Sequence, residues 1–215
     1  MNILALDSAS NKIEFALFSD GREIIKHTLS GGENADALVY NISVHFKDNN
    51  FNVRDVDVVS LSNGPGSFTG LRIASAIAKA FCMAADAKLI EVNSLDVIAN
   101  KIETDRIIVP LIFSNSKTNE FYYSRYKKEN GHLNRISDYK NALLKDIIND
   151  EDFFVTDSQI ELYKDKVMEY DTSNIISLYQ LTSIYISQNI YSDYNTSEPF
   201  YMKEFVPLKS QKKLI

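Results

Sequence analysis

The sequence predicts an α/β protein made of two similar halves, each built from a meander of strands followed by alternating helices and strands. Three observations lead to this prediction. Short runs of apolar and β-branched residues recur as strand patterns, and apolar residues spaced three and four apart mark helices between them. The order of these patterns then starts again after Glu103-Thr104-Asp105, although the two halves share no sequence repeat.

The first half is predicted to begin with three antiparallel strands. A short apolar run covers 2–7, a strand pattern covers 13–18, and Ser19-Asp20-Gly21 forms a hairpin turn into a third strand over 23–29. Gly31-Gly32 ends this meander. The remaining predicted elements of this half are a helix over 34–47 capped by Asn34, with apolar positions at Leu38, Val39, Ile42 and Phe46, a strand over 56–61, a helix over 71–86, a strand over 88–92 and a short helix over 94–101.

The second half is predicted to repeat this order. Two such halves facing each other form the actin-like architecture (ASKHA, RNase H-like), a mixed sheet with helices in each subdomain. We therefore expect two βββαβα-type subdomains: residues 1–103, and residues 104–215, which end in an extended basic tail. The predicted elements are strands over 107–113 and 120–126, a turn at Asn130-Gly131, a helix over 139–148, a strand over 153–155, a weaker helix near 158–168, a short run at Ile175-Ile176 and a helix over 178–190.

Composition narrows the classes of function. With 215 residues and 45% apolar residues the chain can build a sizeable core, and its single cysteine, Cys82, lies among alanines as a packing residue. The formal net charge is −6, so a direct electrostatic grip on nucleic acid is not expected. The N-terminus lacks the pattern of a signal peptide, and no apolar run approaches membrane-spanning length. We expect a cytoplasmic protein without a membrane partner, linked to tRNA only indirectly.

The most distinctive stretch is the corner over 63–72, which holds three of the seven glycines and one of the four prolines. Its glycines allow close backbone approach, and the helix that follows presents N–H groups to an anion or to a partner's carbonyls. The stretch lacks the Gly-Lys-Ser/Thr of a Walker A loop, and its G-x-G-x-x-x-G spacing is not the dinucleotide fingerprint. Two alternatives remain, a purely steric turn and, more remotely, an NAD site with Glu91 on the ribose. The candidate anion or nucleotide contacts are Asp7, Ser8, Gly64, Gly66, Ser67 and Gly70.

The helix after this corner is predicted to be buried on two sides, against the sheet and against a second surface. Between residues 71 and 85 the only polar side chains are Arg72, Ser75 and Lys79, whereas a surface helix of a monomer has a polar back. We therefore predict a docking face on this helix and the first one. The alternative is that the second half or a terminal helix covers the same side within the chain. The predicted interface residues are Tyr40, Val44, Phe68, Arg72, Ala76, Lys79 and Met83.

No catalytic or metal site is predicted. The three histidines, His27, His45 and His132, have no metal-ligand spacing and no cysteine ligands near them. Three histidines scattered along the chain also do not identify a Ser/His/Asp catalytic triad. We expect no cofactor. ATP is expected to bind only weakly or at an interface with a partner.

The chain resembles the bacterial TsaB (YeaZ) family over most of its length. The most specific part is Gly64-Pro65-Gly66-Ser67-Phe68-Thr69-Gly70-Leu71-Arg72, preceded by Asn63, which is similar to the signature corner of that family. Asn115-Ser116-Lys117 departs from the family's usual Asp-Ala-Arg. The other similar segments are Ile3-Leu4-Ala5-Leu6-Asp7-Ser8-Ala9, Val92-Asn93-Ser94-Leu95, Glu120-Phe121-Tyr122 and Pro199-Phe200-Tyr201-Met202-Lys203.

This resemblance implies an actin-like fold and a non-catalytic role in making threonylcarbamoyladenosine on tRNA. It implies pairing through the two N-terminal helices, as a homodimer in isolation or with the paralogous catalytic subunit TsaD, and a third partner, the small ATPase TsaE. TsaD carries a histidine-pair metal motif for its transferase chemistry, and this chain has none. The expected function is thus an activating scaffold subunit, and the alternative is a nucleotide-binding ATPase or transferase-like enzyme of the same fold.

Overall fold

Two β-sheets with helices on their faces make up the protein, in a computed structural model that describes residues 1–10, 12–29, 37–158, 160–161, 163–170 and 173–202. The first sheet has the strand order β3-β2-β1-β4-β5, antiparallel across β1, β2 and β3 and parallel across β1, β4 and β5. The predicted α/β, actin-like class is confirmed. The strands of this sheet are β1 (Asn2–Asp7), β2 (Glu14–Ser19), β3 (Arg22–Thr28), β4 (Val58–Ser62) and β5 (Lys88–Val92).

Helices cover both faces of the first sheet, as the alternation of side chains along its strands requires. In β1, Leu4 and Leu6 point into a core with α1 (Ala37–Asp48) and α2 (Phe68–Ala85). Ile3 and Ala5 point to the opposite face and pack with α5 (Ile175–Ser187), beside which lies α3 (Ser94–Asn100). Cys82 on α2 is fully buried, which confirms its predicted packing role, and burial raises the pKa of its thiol to about 11. The predicted cap Asn34 lies outside the described residues.

The second sheet has the strand order β10-β7-β6-β11-β12, with β8 paired to β6 and to β9. Its parallel strands β6, β11 and β12 and its antiparallel strands β7 and β10 repeat the mixed character of the first sheet. The elements are β6 (Ile108–Asn115), β7 (Glu120–Tyr123), β8 (Tyr126–Glu129), β9 (His132–Arg135), β10 (Lys140–Leu143), α4 (Leu144–Ile147), β11 (Phe153–Thr156) and β12 (Val167–Glu169).

Several sequence predictions for the second half are wrong. The helix predicted over 139–148 is instead the edge strand β10 and the single turn α4, because Lys140–Leu143 pairs with the open edge of β7. The helix predicted near 158–168 is not formed by the described residues there, which make turns and the start of β12 beside β11. Likewise, the strand predicted over 120–126 is interrupted at Ser124-Arg125, and Ile175-Ile176 begins α5 rather than a separate run.

The two sheets are joined through α3. Its Asp96 accepts hydrogen bonds from the hydroxyl groups of Tyr126 (2.6 Å) and Tyr139 (3.0 Å), both of which belong to the second half of the chain. Burial raises the pKa of Asp96, while these two hydroxyl donors lower it. All strands of the first sheet precede residue 104 and all strands of the second follow it, yet α5 returns to the first sheet. The subdomain division at 103/104 stays a prediction.

A buried pair of hydroxyl groups fixes α5 to the first sheet. Thr182 Oγ1 donates to Leu178 O (2.7 Å), so Ser60 on β4 must donate the 2.5 Å hydrogen bond between Ser60 Oγ and Thr182 Oγ1. Both residues are fully buried. The position of α5 on the first sheet therefore depends on the Ser60 hydroxyl group of β4, which donates to Thr182 Oγ1 on the helix.

Thr182→Val is expected to lower the free energy of unfolding by about 1–3 kcal/mol, because it keeps the side-chain shape and leaves the Ser60 hydroxyl buried without an acceptor. Urea denaturation of both proteins measures the loss. The double variant Ser60→Ala/Thr182→Val removes the unpaired donor as well and is expected to recover part of that loss. Additive losses in the double variant would contradict this pairing.

Candidate functional site

The glycine corner over 63–72 is hydrogen-bonded to the turn that follows β1. Ser67 N donates to Ala9 O (2.8 Å), and Ser8 Oγ donates to Gly70 O (2.7 Å). Ser67 is also the N-cap of α2, since its Oγ accepts from Gly70 N (3.3 Å). The start of α2 is thereby fixed relative to β1.

Close packing explains why glycine occupies three positions of this corner. A Cβ atom at Gly66 would lie 2.2 Å from Ala9 O, and one at Gly70 would lie 2.1 Å from Ser8 O. Gly64 has φ +109° and would place a Cβ 2.8 Å from Phe200 O. Its N–H donates to Ser94 Oγ (3.1 Å). These contacts support the steric alternative, and the anion contact predicted for Gly64, Gly66, Ser67 and Gly70 stays a prediction.

Asp7 and Ser8 lie at the carboxyl end of β1 and are both buried. Asp7 Oδ1 accepts a hydrogen bond from Ala9 N (2.9 Å), so the side chain caps the turn. Burial raises the pKa of Asp7 from 3.8 to about 6, with a smaller rise from Glu14, although hydrogen bonds from Ala9, Asn174 and Ser62 act in the opposite direction. The ionised form of Asp7 is therefore less favourable in the folded protein than in the unfolded chain.

Asp7→Asn is expected to gain stability over the natural protein as the pH rises. Because the folded-state pKa is raised, the native state binds the Asp7 proton more readily, and the ionisation penalty grows from about pH 4 to about pH 7. The raised pKa corresponds to at most about 3 kcal/mol. Urea denaturation of both proteins across this pH range measures the difference, and two parallel stability curves would contradict the assignment.

A cleft of about 1160 Å³ opens between the two sheets. The carboxyl ends of β1 and β4 contribute one wall, including Ala9 and Ser67. The second sheet contributes Phe113 of β6 and Tyr170, which follows β12. Ligands of open α/β sheets bind at such carboxyl ends, so the cleft is one of two candidate sites in this protein.

The second candidate site is the outer surface of α1 and α2, which we call the docking face. Its side chains are largely exposed: Met83 by 73%, Tyr40 by 71% and Phe68 by 45%. Ala76 is exposed as well, while Val44 is partly buried. Val39, predicted to be in the apolar stripe of the first helix, is 51% exposed beside Tyr40 and adds to this face.

A C-terminal segment lies along one edge of the docking face. Lys79 Nζ donates to Ser197 O (2.5 Å), and Arg72 Nε donates to the hydroxyl group of Tyr201 (3.0 Å). The Arg72 guanidinium also lies 3.9 Å from the centre of the Phe68 ring. The chain thus covers part of the docking face itself. The alternative prediction expected such cover from the second half or a terminal helix, whereas an extended segment provides it. The contribution of Tyr201 was missed, since a separation of 129 residues leaves no spacing signal in the sequence.

Of the described residues, one helix, α2, is long and apolar enough to cross a membrane. That criterion considers only length and composition, and 44% of the helix is buried inside the protein. A core helix of a water-soluble protein satisfies the same criterion.

The structure also brings together two of the histidines. His27 Nδ1 lies 3.2 Å from His45 Nε2, joining β3 to α1, and both rings pack near Phe15. His132 lies elsewhere, on β9. Over the described part of the chain, no three His, Cys, Asp or Glu side chains are grouped so that they could hold a metal ion.

Comparison with known proteins places this architecture in one family. Residues 33–172 match the family TsaD, described as tRNA N6-adenosine threonylcarbamoyltransferase. The tRNA threonylcarbamoyladenosine biosynthesis protein TsaB of Escherichia coli is 27% identical over 136 residues, which are 61% of this chain and 58% of that protein. TsaB of Bacillus subtilis is 26% identical over 169 residues, 77% of this chain and 67% of that protein. The chain thus spans between about half and two thirds of these relatives.

The solved structures agree on the fold. YeaZ from Pseudomonas aeruginosa superimposes with a TM-score of 0.76 at 17% identity, covering 93% of this chain and all of that one. A second Pseudomonas aeruginosa structure, described as an uncharacterized protein with similarity to peptidase YEAZ, superimposes with a TM-score of 0.77 at 16% identity and covers 94% of this chain and 99% of its own. The chain therefore carries the TsaD-type domain and belongs to the TsaB (YeaZ) family.

Proposed function

We propose that the protein is a non-catalytic activating subunit in the synthesis of threonylcarbamoyladenosine on tRNA. The observation that carries this proposal is the docking face, whose apolar and aromatic side chains Tyr40, Phe68 and Met83 remain exposed on two helices. Exposed apolar clusters of this kind mark interaction sites, and both relatives named above bear names from this pathway. The docking face gives the protein a means of holding a partner.

The proposed partner is a TsaD-type catalytic paralogue. A paralogue shares the fold and can present an equivalent pair of helices, so that the two faces meet across an approximate two-fold axis. In isolation the same face is expected to pair with a second copy of this chain, which makes a homodimer. Small Ala76 at its centre allows the helices to approach closely, and Arg72 and Tyr40 are residue types enriched at interface centres.

The remaining partners follow from the same proposal. A TsaE-type ATPase is the third component, and tRNA is contacted mainly through the partners because the chain is acidic, with a formal net charge of −6. The chain needs no cofactor of its own, and ATP binds weakly or at a partner interface. We propose a cytoplasmic location and no membrane partner.

Reconstitution tests this proposal. The chain is combined with TsaD-type and TsaE-type proteins from the same genome, ATP, a threonylcarbamoyl donor system and tRNA, and the modified nucleoside is measured by mass spectrometry. Omission of the chain is expected to remove product, while the chain alone gives neither product nor ATP turnover. Undiminished product without the chain would overturn the activating role, and ATP hydrolysis by the isolated chain would favour the alternative ATPase function.

A further inference from the structure

A groove of about 350 Å³ runs between α2 and the C-terminal segment 197–202. Ala76 contributes to its wall on the helix, and Pro199 and Tyr201 contribute to the wall on the segment. Tyr201 is 40% exposed and Phe200 is 38% exposed, so the segment presents aromatic side chains of its own beside the docking face. The groove therefore extends the docking face beyond the two helices that define it.

Contacts with several parts of the protein hold the segment in place. Phe200 N donates to Asn63 O (2.8 Å), and Ser197 Oγ donates to the carboxylate of Glu91 on β5 (2.5 Å). The ring of Phe200 also packs edge-on against the ring of Tyr139, with 5.6 Å between the ring centres. None of these contacts involves the exposed side of α2, so the groove is formed before any partner binds.

The cations of the groove have donors to spare. Arg72 and Lys79 line the groove, and Glu198 is the one acid beside them among the described residues. Each cation donates one hydrogen bond to the segment, to the hydroxyl group of Tyr201 and to Ser197 O respectively. In the described part of the chain neither forms an ion pair with a carboxylate. A guanidinium has five N–H donors and an ammonium has three, so both can donate to a further acceptor.

A carboxylate from a partner complements these cations better than this chain does. The helix α2 contains no Asp or Glu, so a second copy that pairs through its own α2 brings cations to cations. The sequence after residue 202 contains four lysines and one glutamate, and it therefore has the same sign of charge as the groove. Opposite charges across an interface favour the correct partner, and juxtaposed like charges disfavour the wrong one.

We propose that the groove between α2 and residues 197–202 receives an acidic side chain of the TsaD-type partner, whose carboxylate pairs with the cations Arg72 and Lys79. Tyr201 forms one wall of this contact. The inference rests on the function proposed above, because it specifies how the same docking face distinguishes its partner from a second copy of the chain.

The salt dependence of association tests this pairing on the natural protein. Analytical ultracentrifugation of the full chain, alone and mixed with the TsaD-type protein, is carried out in about 50 mM and about 500 mM NaCl. The Kd for the partner is expected to rise at least about fivefold at the higher salt, because salt screens the attraction between opposite charges. The Kd of self-association is expected to fall or to stay within about twofold, because salt screens a repulsion there.

Three variants assign the contacts. Arg72→Gln and Lys79→Met each remove one cation and are expected to weaken partner binding about threefold to tenfold without weakening self-association. Tyr201→Ala removes the aromatic wall and is expected to weaken partner binding at least about threefold. Lys140→Met on β10 and Tyr191→Ala make the same changes outside the groove and should leave the Kd for the partner unchanged; Tyr191 is 40% exposed, as Tyr201 is. Circular dichroism confirms folding of each variant.

Three outcomes would overturn the inference. The first is a Kd for the partner that does not change with salt. The second is an equal weakening of partner binding and self-association by Arg72→Gln and Lys79→Met, which would mean that these side chains act through packing. The third is tighter partner binding by Tyr201→Ala, which would mean that the segment competes with the partner.

The variant Ala76→Arg separates these outcomes from a failure of the proposed function, because it tests the docking face itself. If Ala76→Arg abolishes association and one of the three outcomes is also observed, the docking face stands and only the acidic contact is removed. If Ala76→Arg associates normally, both proposals fail.

Discussion

Ala76→Arg is expected to abolish association of the protein with a second copy and with a TsaD-type partner while leaving its fold intact. Ala76 lies exposed on α2 between Arg72 and Lys79, so a longer side chain meets no atom of its own core. In a helix pair brought close by alanine, however, the long added side chain would hold the helices apart and would bury its guanidinium beside the cations Arg72 and Lys79. We expect at least about a hundredfold weakening, or roughly 3 kcal/mol. Analytical ultracentrifugation of the variant alone and mixed with the partner measures the loss.

Ser183→Arg is the control for this substitution. Ser183 is exposed on α5, which covers the opposite face of the first sheet, so the same charge is added away from the docking face. This control should sediment like the natural protein, and both variants should keep the circular dichroism spectrum of the natural protein, which reports folding independently of association. Unchanged association of Ala76→Arg would mean that the docking face lies elsewhere on the molecule.

The N-terminal half was predictable because its elements are specified locally. The hairpin turn at Asp20-Gly21 has positive φ angles of 47° and 83°, which this pair of residues favours. The apolar pattern along each strand of this half also matches the place of that strand in the sheet. The parallel strand β4 is buried at every position, and the edge strand β5 is buried at Leu89, Ile90 and Val92, which gives both a largely apolar pattern. Local pattern and tertiary environment agree in this half, and the predicted order of its elements matches the structure.

The second half could be predicted less well because non-local pairing decides its elements. Lys140–Leu143 has no strand pattern of its own, and its conformation comes from the partner strand β7. The short strand β12 similarly exists because β11 presents a free edge. Spacing along the chain contains no information about which edge is open, so helical periodicity led to the wrong assignment at both places.

The candidate sites show the same limit. Asp7 and the glycines of the corner were found because a strand end followed by a turn is a local signal. Tyr170 and Asn174 were missed, since a lone tyrosine or asparagine has many roles and their proximity to Asp7 arises from tertiary packing, not from spacing along the chain. The pair His27 and His45 was missed for the same reason.

Gly70→Ala is expected to destabilise the protein by about 3 kcal/mol or more, because the new Cβ would lie 2.1 Å from Ser8 O, a backbone atom that cannot rotate away. Relief of this clash requires the 8–10 turn to move from the corner, which would also break the Ser67 N–Ala9 O and Ser8 Oγ–Gly70 O hydrogen bonds. For a chain of this size such a loss corresponds to a fall of roughly 10 °C in the unfolding midpoint. Calorimetry and urea denaturation measure it.

Gly131→Ala separates this steric effect from the general cost of replacing glycine. Gly131 has φ +78° and no atom within 4 Å of a Cβ, so only backbone strain of about 1 kcal/mol is expected. Equal losses at the two positions would show that the 8–10 turn yields easily and that the corner glycines serve another purpose, such as anion contact. In that case phosphate should raise the unfolding midpoint of the natural protein but not of Gly70→Ala. A much larger loss at Gly70, unaffected by phosphate, would identify the corner as the element that fixes the direction of α2 and with it the docking face.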